Sequence, residues 1–387
     1  MAIREQSPDR AQSPTTGSRG RGARARVVVL GGGYAGQLAA QALAARTDAT
    51  VTLVNDGDRF VQRVRLHEAS VGGAAAAPRF TDLLAGTGVR FVDDRAEGLD
   101  PVGHRVELRD GGTLPYDLLV YALGSHADPL ALPGPVQDVS TAAGAARLHD
   151  RLADGPRRVA VVGSGLTGLE LATELGEHGH RVTLVGAGAL EDDLSARGAR
   201  HVRRVCARLG VTVREHARAV AADEDGLVLA DGSRVTADVV VGTVGFAVPN
   251  LARRSGLAVD DAGRVLVGPD LRSTSHADVL AIGDAAAATR ADGRLLRMAC
   301  ATGLPQAQQA ARTVAALLAG TTPEPLRFRY AVRCVSLGRR DGLIQLVHAD
   351  DSPREAVLTG RLAAAVKEAV VVNALRVQRH PWIPTSA

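Results

Sequence analysis

The sequence predicts an α/β fold because one pattern of apolar runs and glycines occurs twice along the chain. Arg26–Leu30 (RVVVL) has the length of a strand and is followed by GGGYAG, a helix-like stretch and a second apolar run at 50–54. The same order recurs from Arg158–Val162 (RVAVV) through GSGLTG to Arg181–Val185. Continuous apolar runs are typical of parallel strands that are covered on both faces. The chain therefore contains two βαβ units.

Composition excludes several classes of protein. The 387 residues suffice for two or three domains, and 45% hydrophobic with 23% charged residues is an ordinary globular balance. A net charge of only +4 gives no case for a nucleic-acid partner. No stretch approaches the ~18 apolar residues of a membrane span. Cys206, Cys300 and Cys334 show no close pairing, which excludes a disulfide framework and a cysteine metal site and favours a reducing, cytoplasmic location.

The remaining segments can be assigned in chain order. Residues 1–23 mix Ser, Pro, Gly and Arg with almost no apolar side chain, which predicts a disordered basic tail. Short alternating runs such as 105–109 and 118–123 predict a small meander that returns to a buried strand. Residues 302–319 predict a helix. The segment TTPEP at 321–325 marks the start of a final unit of strands and one helix.

Both glycine-rich turns have the residues that a dinucleotide pyrophosphate requires. The first contains Gly31, Gly33 and Gly36, and the second contains Gly163, Gly165 and Gly168. Each turn follows a strand and opens a helix, so backbone N–H groups and the positive end of the helix dipole can face the phosphates. A merely tight turn is the alternative at each position.

The two units differ where their second strands end. Asn55 replaces the acidic residue that usually binds the adenosine ribose, although its amide or Asp56 beside it could still accept a hydroxyl hydrogen bond. In the second unit the corresponding position is Gly186, which offers no carboxylate against a 2′-phosphate. NADH and NADPH therefore both remain open.

Five segments together resemble the FAD-dependent pyridine nucleotide oxidoreductases, which contain two nested Rossmann-like domains. They are GGGYAG, YALGS at 121–125, GSGLTGLE, GTVGF at 242–246, and SHADVLAIGDAA ending at Ala286. The likeness is greatest to the type II NADH dehydrogenase-like and apoptosis-inducing-factor-like branch. It implies an FAD domain at 24–138 and 249–322, an NAD(P)H domain at 139–248, and a C-terminal α+β domain at 323–387.

The resemblance also implies roles for single residues. Asp284 of the GD pair is expected to bind the flavin ribitol, and Gly124 lies in the strand-end YALGS segment. A helix N-terminus is expected at the flavin, with contacts from Gly303, Leu304 and Gln306. Glu170 stands where the family has an acidic residue near the nicotinamide and flavin N5. A helix cap for Asp284 and a solvated helix position for Glu170 are the alternatives.

Two further residues are candidates for catalysis. His67 lies in the segment 60–73, where the disulfide reductases of this superfamily have a CxxxxC dithiol and this chain has no cysteine. Electrons must therefore leave the flavin directly for an acceptor, and His67 could shuttle a proton to it. Lys367 is the only lysine among 46 Lys and Arg residues, so a compact ammonium is expected to be required there. A histidine at a helix end and chance survival of one lysine are the alternatives.

The sequence thus predicts an FAD-dependent NAD(P)H:acceptor oxidoreductase whose acceptor is quinone-like or another small molecule. The alternatives are a flavin-dependent tailoring oxidoreductase of specialised metabolism and a non-enzymatic flavoprotein that senses NAD(P)H. No metal site is predicted, and the oligomeric state is not indicated. We expect a cytoplasmic protein, and the stretch 369–377 with Trp382 leaves open a peripheral contact with the inner face of the cell membrane.

Overall fold

A computed structural model of the chain describes residues 24–73, 77–128 and 131–385. The tail predicted at 1–23 lies outside the described residues. The elements up to residue 138 are strands β1 (Arg26–Leu30), β2 (Thr50–Asn55), β3 (Arg90–Asp93), β4 (Ala96–Asp100), β5 (Arg105–Leu108), β6 (Thr113–Pro115), β7 (Leu118–Tyr121), β8 (His126–Ala127) and β9 (Val136–Asp138), with helices α1 (Tyr34–Arg46), α2 (Leu66–Ala69) and α3 (Phe80–Leu83).

The following elements build the second unit and then return to the first. They are α4 (Ala142–Leu152), β10 (Arg158–Val162), α5 (Leu166–Glu177), β11 (Arg181–Val185), α6 (Ala196–Arg208), β12 (Thr212–Arg214), β13 (Ala219–Asp223), β14 (Gly226–Leu229), β15 (Arg234–Thr236), β16 (Val239–Gly242), β17 (Phe246–Ala247), α7 (Leu251–Arg254), β18 (Val265–Leu266), β19 (Val279–Ala281), β20 (Ala286–Ala287) and α8 (Cys300–Leu318). The last elements are β21 (Val332–Ser336), β22 (Gly342–Val347), β23 (Pro353–Thr359) and α9 (Gly360–Arg376).

Two parallel sheets of five strands form the centres of the two units. The first has the order β19-β7-β1-β2-β3 and the second the order β12-β11-β10-β16-β9. The apolar runs RVVVL and RVAVV are β1 and β10, and both are buried after their first residue, as the sequence predicts. The mixed α/β fold with two Rossmann-like units is therefore confirmed.

The chain leaves the first sheet and comes back to it. Strand β19, which follows the whole second unit in sequence, pairs with β7 of the first sheet through Val279 and Leu119. The second unit is thus inserted into the first. Its sheet includes β9 at Val136–Asp138, a few residues before the boundary expected at 139. Both units also have a three-stranded antiparallel meander, β4-β5-β6 in the first and β13-β14-β15 in the second.

The C-terminal unit is an antiparallel sheet, β21-β22-β23, followed by α9. Val335, Leu337 and Leu343 belong to the core of the second unit, so this sheet packs against the inserted part of the chain. The residues after α9 contact the first unit instead, because Gln37 donates a hydrogen bond to the Gln378 carbonyl at 3.0 Å. The C-terminal unit therefore bridges the two units that contain the parallel sheets.

A buried carboxylate joins this unit to the second one. Asp341 accepts hydrogen bonds from His201 Nε2 and from Arg208 Nη2 of α6, each at 2.8 Å. It also accepts from the backbone N–H groups of Gly342 and Gly360. Burial raises the pKa of Asp341, but the hydrogen bonds from Arg208 and His201 outweigh burial and leave the pKa below its usual range.

We expect Asp341→Asn to lower the free energy of unfolding at pH 7 by about 1–3 kcal/mol, because it removes a charged partner of buried donors. A carboxyl pKa that is lower in the folded state stabilises above the unfolded-state pKa, and this stabilisation is lost as the pH falls. As the pH falls, the free energy of unfolding of the variant should therefore decrease less than that of the native protein. Urea unfolding at pH 4–8 measures both effects. Asp154→Asn, at a carboxylate 82% exposed, is the control and should change stability little; equal curves for Asp341→Asn and the native protein would contradict this prediction.

Candidate functional site

The first glycine turn forms an open cradle at the start of α1. Gly31 has a φ of +98°, a conformation that glycine adopts without strain. A Cβ at Gly36 would collide with the Gly31 carbonyl oxygen, whereas nothing lies within 4 Å of a Cβ built at Gly33. Gly33 is also the N-cap of α1 and makes no side-chain cap. The turn thus packs tightly on one side and leaves backbone donors open on the other, which fits a pyrophosphate.

Asn55 is used inside this cradle. Its Oδ1 accepts a hydrogen bond from Gly32 N and its Nδ2 donates to the Gly57 carbonyl, both at 2.8 Å. Asp56 beside it pairs with Arg95 and with Arg109 at 3.1 Å. Asn55 therefore fixes the shape of the glycine turn, and its contact with the adenosine ribose stays a prediction.

The second glycine turn repeats the geometry at the start of α5. A Cβ at Gly168 would collide with the Gly163 carbonyl oxygen, and the space around Gly165 is open. At the end of β11, a Cβ on Gly186 would collide with Ser164 Oγ. A carboxylate at position 186 would therefore require Ser164 to move. The structure explains why this strand end has no acidic residue, and either nicotinamide cofactor is compatible with its charge.

Several polar groups meet beside the first glycine turn, where the flavin end of FAD is expected. Asp284 accepts a hydrogen bond from Ser125 Oγ at 2.6 Å and lies 3.9 Å from Arg63 Nη1. Gln306 Oε1 accepts from Gly283 N at 2.8 Å, which ties the second turn of α8 to the GD pair. The helix-cap alternative for Asp284 is not observed, because its carboxylate contacts Ser125 instead of a helix N-terminus.

The other predicted flavin contacts surround this group. Gly124 has a φ of +66°, and a Cβ there would come within 4.0 Å of Arg63. Gly303 packs against Ala35 and Gly283, so α8 lies directly on the first glycine turn. Leu304 is partly buried against the core of the first unit. The hydroxyl of Tyr34 is buried with no hydrogen-bond partner among the described residues. An open cradle, a half-buried carboxylate and an unpaired buried hydroxyl together fit FAD.

The three predicted catalytic residues come together near the second turn. Lys367 Nζ donates to Glu170 Oε1 at 2.9 Å, and both side chains are nearly buried. Ser336, from the end of β21, donates to the same oxygen through its backbone N–H at 3.1 Å and its hydroxyl at 3.2 Å. His67 Nε2 lies 3.4 Å from Ser336 Oγ. Glu170 is therefore not a solvated helix residue, and Lys367 is part of a built ion pair.

Each member of the ion pair is held in its charged form by the other. Burial alone would raise the pKa of Glu170, but the Lys367 ammonium and His67 outweigh it and lower that pKa. Burial alone would lower the pKa of Lys367, and the Glu170 carboxylate reverses the shift and raises it. At neutral pH the site presents a dry ammonium–carboxylate pair.

A cavity of about 600 Å³ opens onto this pair. Lys367 and Ser336 line it, with α9 on one side and Val64 on another. Glu68 and Glu174 line it as well, and Arg339 forms ion pairs with both of them at 3.1 and 2.8 Å. Charged side chains make up more than half of the lining, and most of the remaining lining residues are small and apolar. The cavity can therefore bring a polar group to the ammonium beside a small apolar surface.

Sequence reasoning missed part of this site. Ser336, Ser125 and Arg63 each contact a predicted residue, yet the sequence assigned none of them a role. Ser125 ends the YALGS segment, so its place after a strand was the one available signal. Ser336 carries no such signal, because only the register of the C-terminal hairpin brings it to Glu170.

Comparison with known proteins agrees with this geometry. The family model for pyridine nucleotide-disulphide oxidoreductases matches residues 25–313. The chain belongs to this family. An NADH dehydrogenase-like protein of Mycobacterium tuberculosis is 31% identical over 376 residues, which cover 89% of this chain and 92% of that protein. A type II NADH:quinone oxidoreductase of Staphylococcus epidermidis is 26% identical and covers 91% of this chain and 95% of its own length.

A solved structure shows the same fold. NDH2 from Plasmodium falciparum, in complex with NADH, has a TM-score of 0.79 at 12% identity and covers 94% of this chain and all of that one. Membership of the pyridine nucleotide-disulphide oxidoreductases confirms the resemblance, the oxidoreductase activity and the use of FAD and NAD(P)H that the sequence predicts.

The family is named for a disulphide, but the surroundings of the three cysteines in this chain favour the protonated thiol, which is unreactive. Burial raises the pKa of Cys300 to about 12 and that of Cys206 to about 11, and it also raises the pKa of Cys334. We expect a variant with all three cysteines replaced by Ala or Ser to reduce its flavin with NAD(P)H at a rate within a few-fold of the native rate. Protonated thiols are poor nucleophiles, so their removal should not change this reaction. Anaerobic stopped-flow bleaching of the flavin measures this. A collapse of that rate with FAD content intact would contradict the expectation.

Proposed function

We propose that this protein transfers two electrons from NAD(P)H, through bound FAD, to a quinone-like small molecule that binds in the cavity beside Lys367. The observation that carries the proposal is the buried Lys367–Glu170 pair at one end of a 600 Å³ cavity. An ammonium in that position can bind a carbonyl oxygen as negative charge develops on it. The Staphylococcus relative is named for quinone reduction, which supports the same acceptor class.

The chemistry that FAD supplies when bound is acceptance of a hydride from the nicotinamide and release of two electrons to an acceptor. Asp284 and Ser125 would hold the ribitol chain, which their mutual hydrogen bond supports, and the N-terminus of α8 would supply a positive dipole. Glu170, in α5, would orient the nicotinamide. Lys367 binds the acceptor oxygen and provides a proton to it, and His67 stands behind the pair as a proton carrier.

The test is steady-state oxidation of NADH and of NADPH by purified, FAD-loaded protein against a short-chain water-soluble quinone, ferricyanide, a ferredoxin and oxygen. We expect the highest rate with the quinone when each rate is expressed as electrons transferred per enzyme per second. No turnover with any acceptor, despite bleaching of the flavin, would support a sensor instead. Turnover with ferricyanide but with no quinone would point to a tailoring oxidoreductase with another substrate.

Contact with a membrane surface is a further part of the proposal. None of the helices in the described ranges is long and apolar enough to cross a bilayer. Helix α9 nevertheless exposes Leu362, Val370 and Val372, and Trp382 after it is 70% exposed. A quinone with a long apolar tail would be delivered most directly from a bilayer touching this face. Trp382 is the only tryptophan, so a blue shift of its fluorescence on adding anionic vesicles tests the contact; an unchanged spectrum would exclude it.

A further inference from the structure

Reduction of a quinone consumes a proton from solvent. NAD(P)H provides a hydride, which carries two electrons and one proton, and a quinol contains two added protons. The balanced reaction is NAD(P)H plus quinone plus one proton, giving NAD(P)⁺ plus quinol. If Lys367 gives its proton to the acceptor oxygen, the ammonium must be restored before the next turnover. A molecule seated against Lys367 displaces water from the ammonium, so the proton has to arrive through neighbouring side chains.

Polar side chains beside Lys367 form a series that leads to Glu68, and its last step, from His67 to Glu68, is longer than a hydrogen bond. Glu170 Oε1 lies 2.9 Å from Lys367 Nζ, and Ser336 Oγ lies 3.2 Å from that same carboxylate oxygen. His67 Nε2 is 3.4 Å from Ser336 Oγ and 3.9 Å from a carboxylate oxygen of Glu68. Glu68 lines the cavity and so borders water. The side chain of His67 is only 6% exposed, which keeps the middle of the chain dry.

We propose that Ser336 is the hydroxyl link of a proton relay that runs from the cavity wall at Glu68 through His67 to Glu170 and restores the ammonium of Lys367. This inference rests on the proposed function, because only an acceptor that takes up protons requires such a relay. A serine hydroxyl suits the position, since it accepts a hydrogen bond from one side and donates on the other. The Ser336 hydroxyl donates to Glu170, which leaves its lone pairs for the Nε2–H of His67.

The charge state of the ion pair controls the last proton transfers, from Ser336 to Glu170 and from Glu170 to Lys367. The Lys367 charge keeps Glu170 ionised, so loss of the Lys367 proton removes the group that holds the carboxylate charged. Glu170 then takes the Ser336 hydroxyl proton and passes one to the Lys367 amine. The Ser336 oxygen takes the Nε2 proton of His67, and the imidazole recovers a proton from water at the cavity wall. No bond other than O–H and N–H forms or breaks, and no electron moves in these steps.

The surrounding charges hold the entry of the relay in place. Arg65 donates to Glu68 at 2.9 Å, and Arg339 pairs with Glu68 and with Glu174. These contacts come from the segment before α2 and from the turn between β21 and β22. Glu68 therefore keeps one orientation at the cavity wall beside His67. Glu174 faces His67 from α5 and is the other carboxylate near the imidazole.

The hydroxyl can be removed without removing the structural contact. Ser336 also binds Glu170 through its backbone N–H at 3.1 Å, and any side chain keeps that bond. Ser336→Thr and Ser336→Val form a matched pair, because the two side chains have nearly the same shape and only threonine has a hydroxyl. Both are β-branched and suit a strand end. Valine also fills the space that a water could otherwise occupy in Ser336→Ala.

The experiment compares acceptors in the two FAD-loaded variants. With the short-chain quinone we expect Ser336→Val to turn over at least about tenfold more slowly than Ser336→Thr. Ferricyanide takes one electron at a time and no proton, so its reduction should agree within twofold in both. The anaerobic bleaching of the flavin by NADH should be equal as well. Ser352→Ala, at an exposed serine after β22, is the control and should match the native protein throughout.

A second readout does not depend on turnover. With ¹⁵N-labelled histidine, the Nε2 signal of His67, assigned from a His67→Gln variant, should shift in Ser336→Val and stay near its native position in Ser336→Thr. Equal quinone rates in the matched pair, or an equal loss with quinone and ferricyanide, would overturn the relay. A native protein that reduces ferricyanide and no quinone would overturn the proposed function, and the relay with it, before any variant is compared.

Discussion

Replacing Lys367 by arginine should lower the rate of quinone reduction by about 10²-fold, the usual cost of losing one preorganised charge contact at a reacting centre. The ammonium donates to Glu170 at 2.9 Å and to the Cys334 carbonyl at 3.3 Å, and only 15% of the side chain is exposed. A planar guanidinium is wider and holds its donors in a fixed fork. The guanidinium group would therefore have to lie closer to the cavity, in the space that the acceptor needs. It also cannot release a proton at neutral pH.

The measurement is acceptor reduction under saturating NAD(P)H, with FAD content and thermal stability recorded in parallel. Both of the latter should stay near native values, because the charge of the buried pair is kept. Arg376→Lys, an exposed position at the end of the same helix, is the matched control for a basic exchange. Native rates in Lys367→Arg would remove Lys367 from the site and leave the single lysine as a chance survival.

Much of the fold could be predicted because its signals are local. A buried parallel strand is a short apolar run, and the turns after β1 and β10 need glycine where the backbone closes on itself. The five segments of the family resemblance are also contiguous in sequence. They lead to the positions of Asp284 and of both glycine cradles without any knowledge of tertiary contacts.

The cluster around Glu170 could be predicted only in part, because it depends on contacts between distant segments. Glu170 was indicated by its place after the second glycine turn and Lys367 by its rarity, but nothing local shows that the two form an ion pair. Ser336 is brought in by hairpin register and has no local signal. Asn55 shows a different limit, because its local sequence signal does not reveal which groups its side chain binds. Its strand-end position suggests a ribose contact, yet its amide oxygen binds the turn that precedes α1 and its amide nitrogen binds the Gly57 carbonyl after β2.

The second large effect is expected for FAD binding. Asp284→Ala should weaken FAD binding by about 1.5–3 kcal/mol, because it removes a charge-assisted hydrogen bond to a ribitol hydroxyl. In the structure the carboxylate is 19% exposed, accepts from Ser125 Oγ, and lies near Arg63. The substitution also leaves the Ser125 hydroxyl without its acceptor and Arg63 without a nearby counter-charge. These losses disorganise the pocket before FAD arrives, so the effect should fall toward the upper end of the range.

Quenching of FAD fluorescence on titration into apoprotein gives the dissociation constant, and circular dichroism checks that each apoprotein is folded. Asp284→Asn separates charge from shape: it keeps the size of the side chain and should lose part of the affinity. Asp292→Ala, a short distance along the same segment and 46% exposed, is the control and should bind FAD as the native protein does. The hydrogen bond from the Gly283 N–H to the Gln306 side chain does not involve Asp284 and should remain in the variant. A folded Asp284→Ala protein with native FAD affinity would therefore contradict this role for Asp284 and assign the ribitol to other groups.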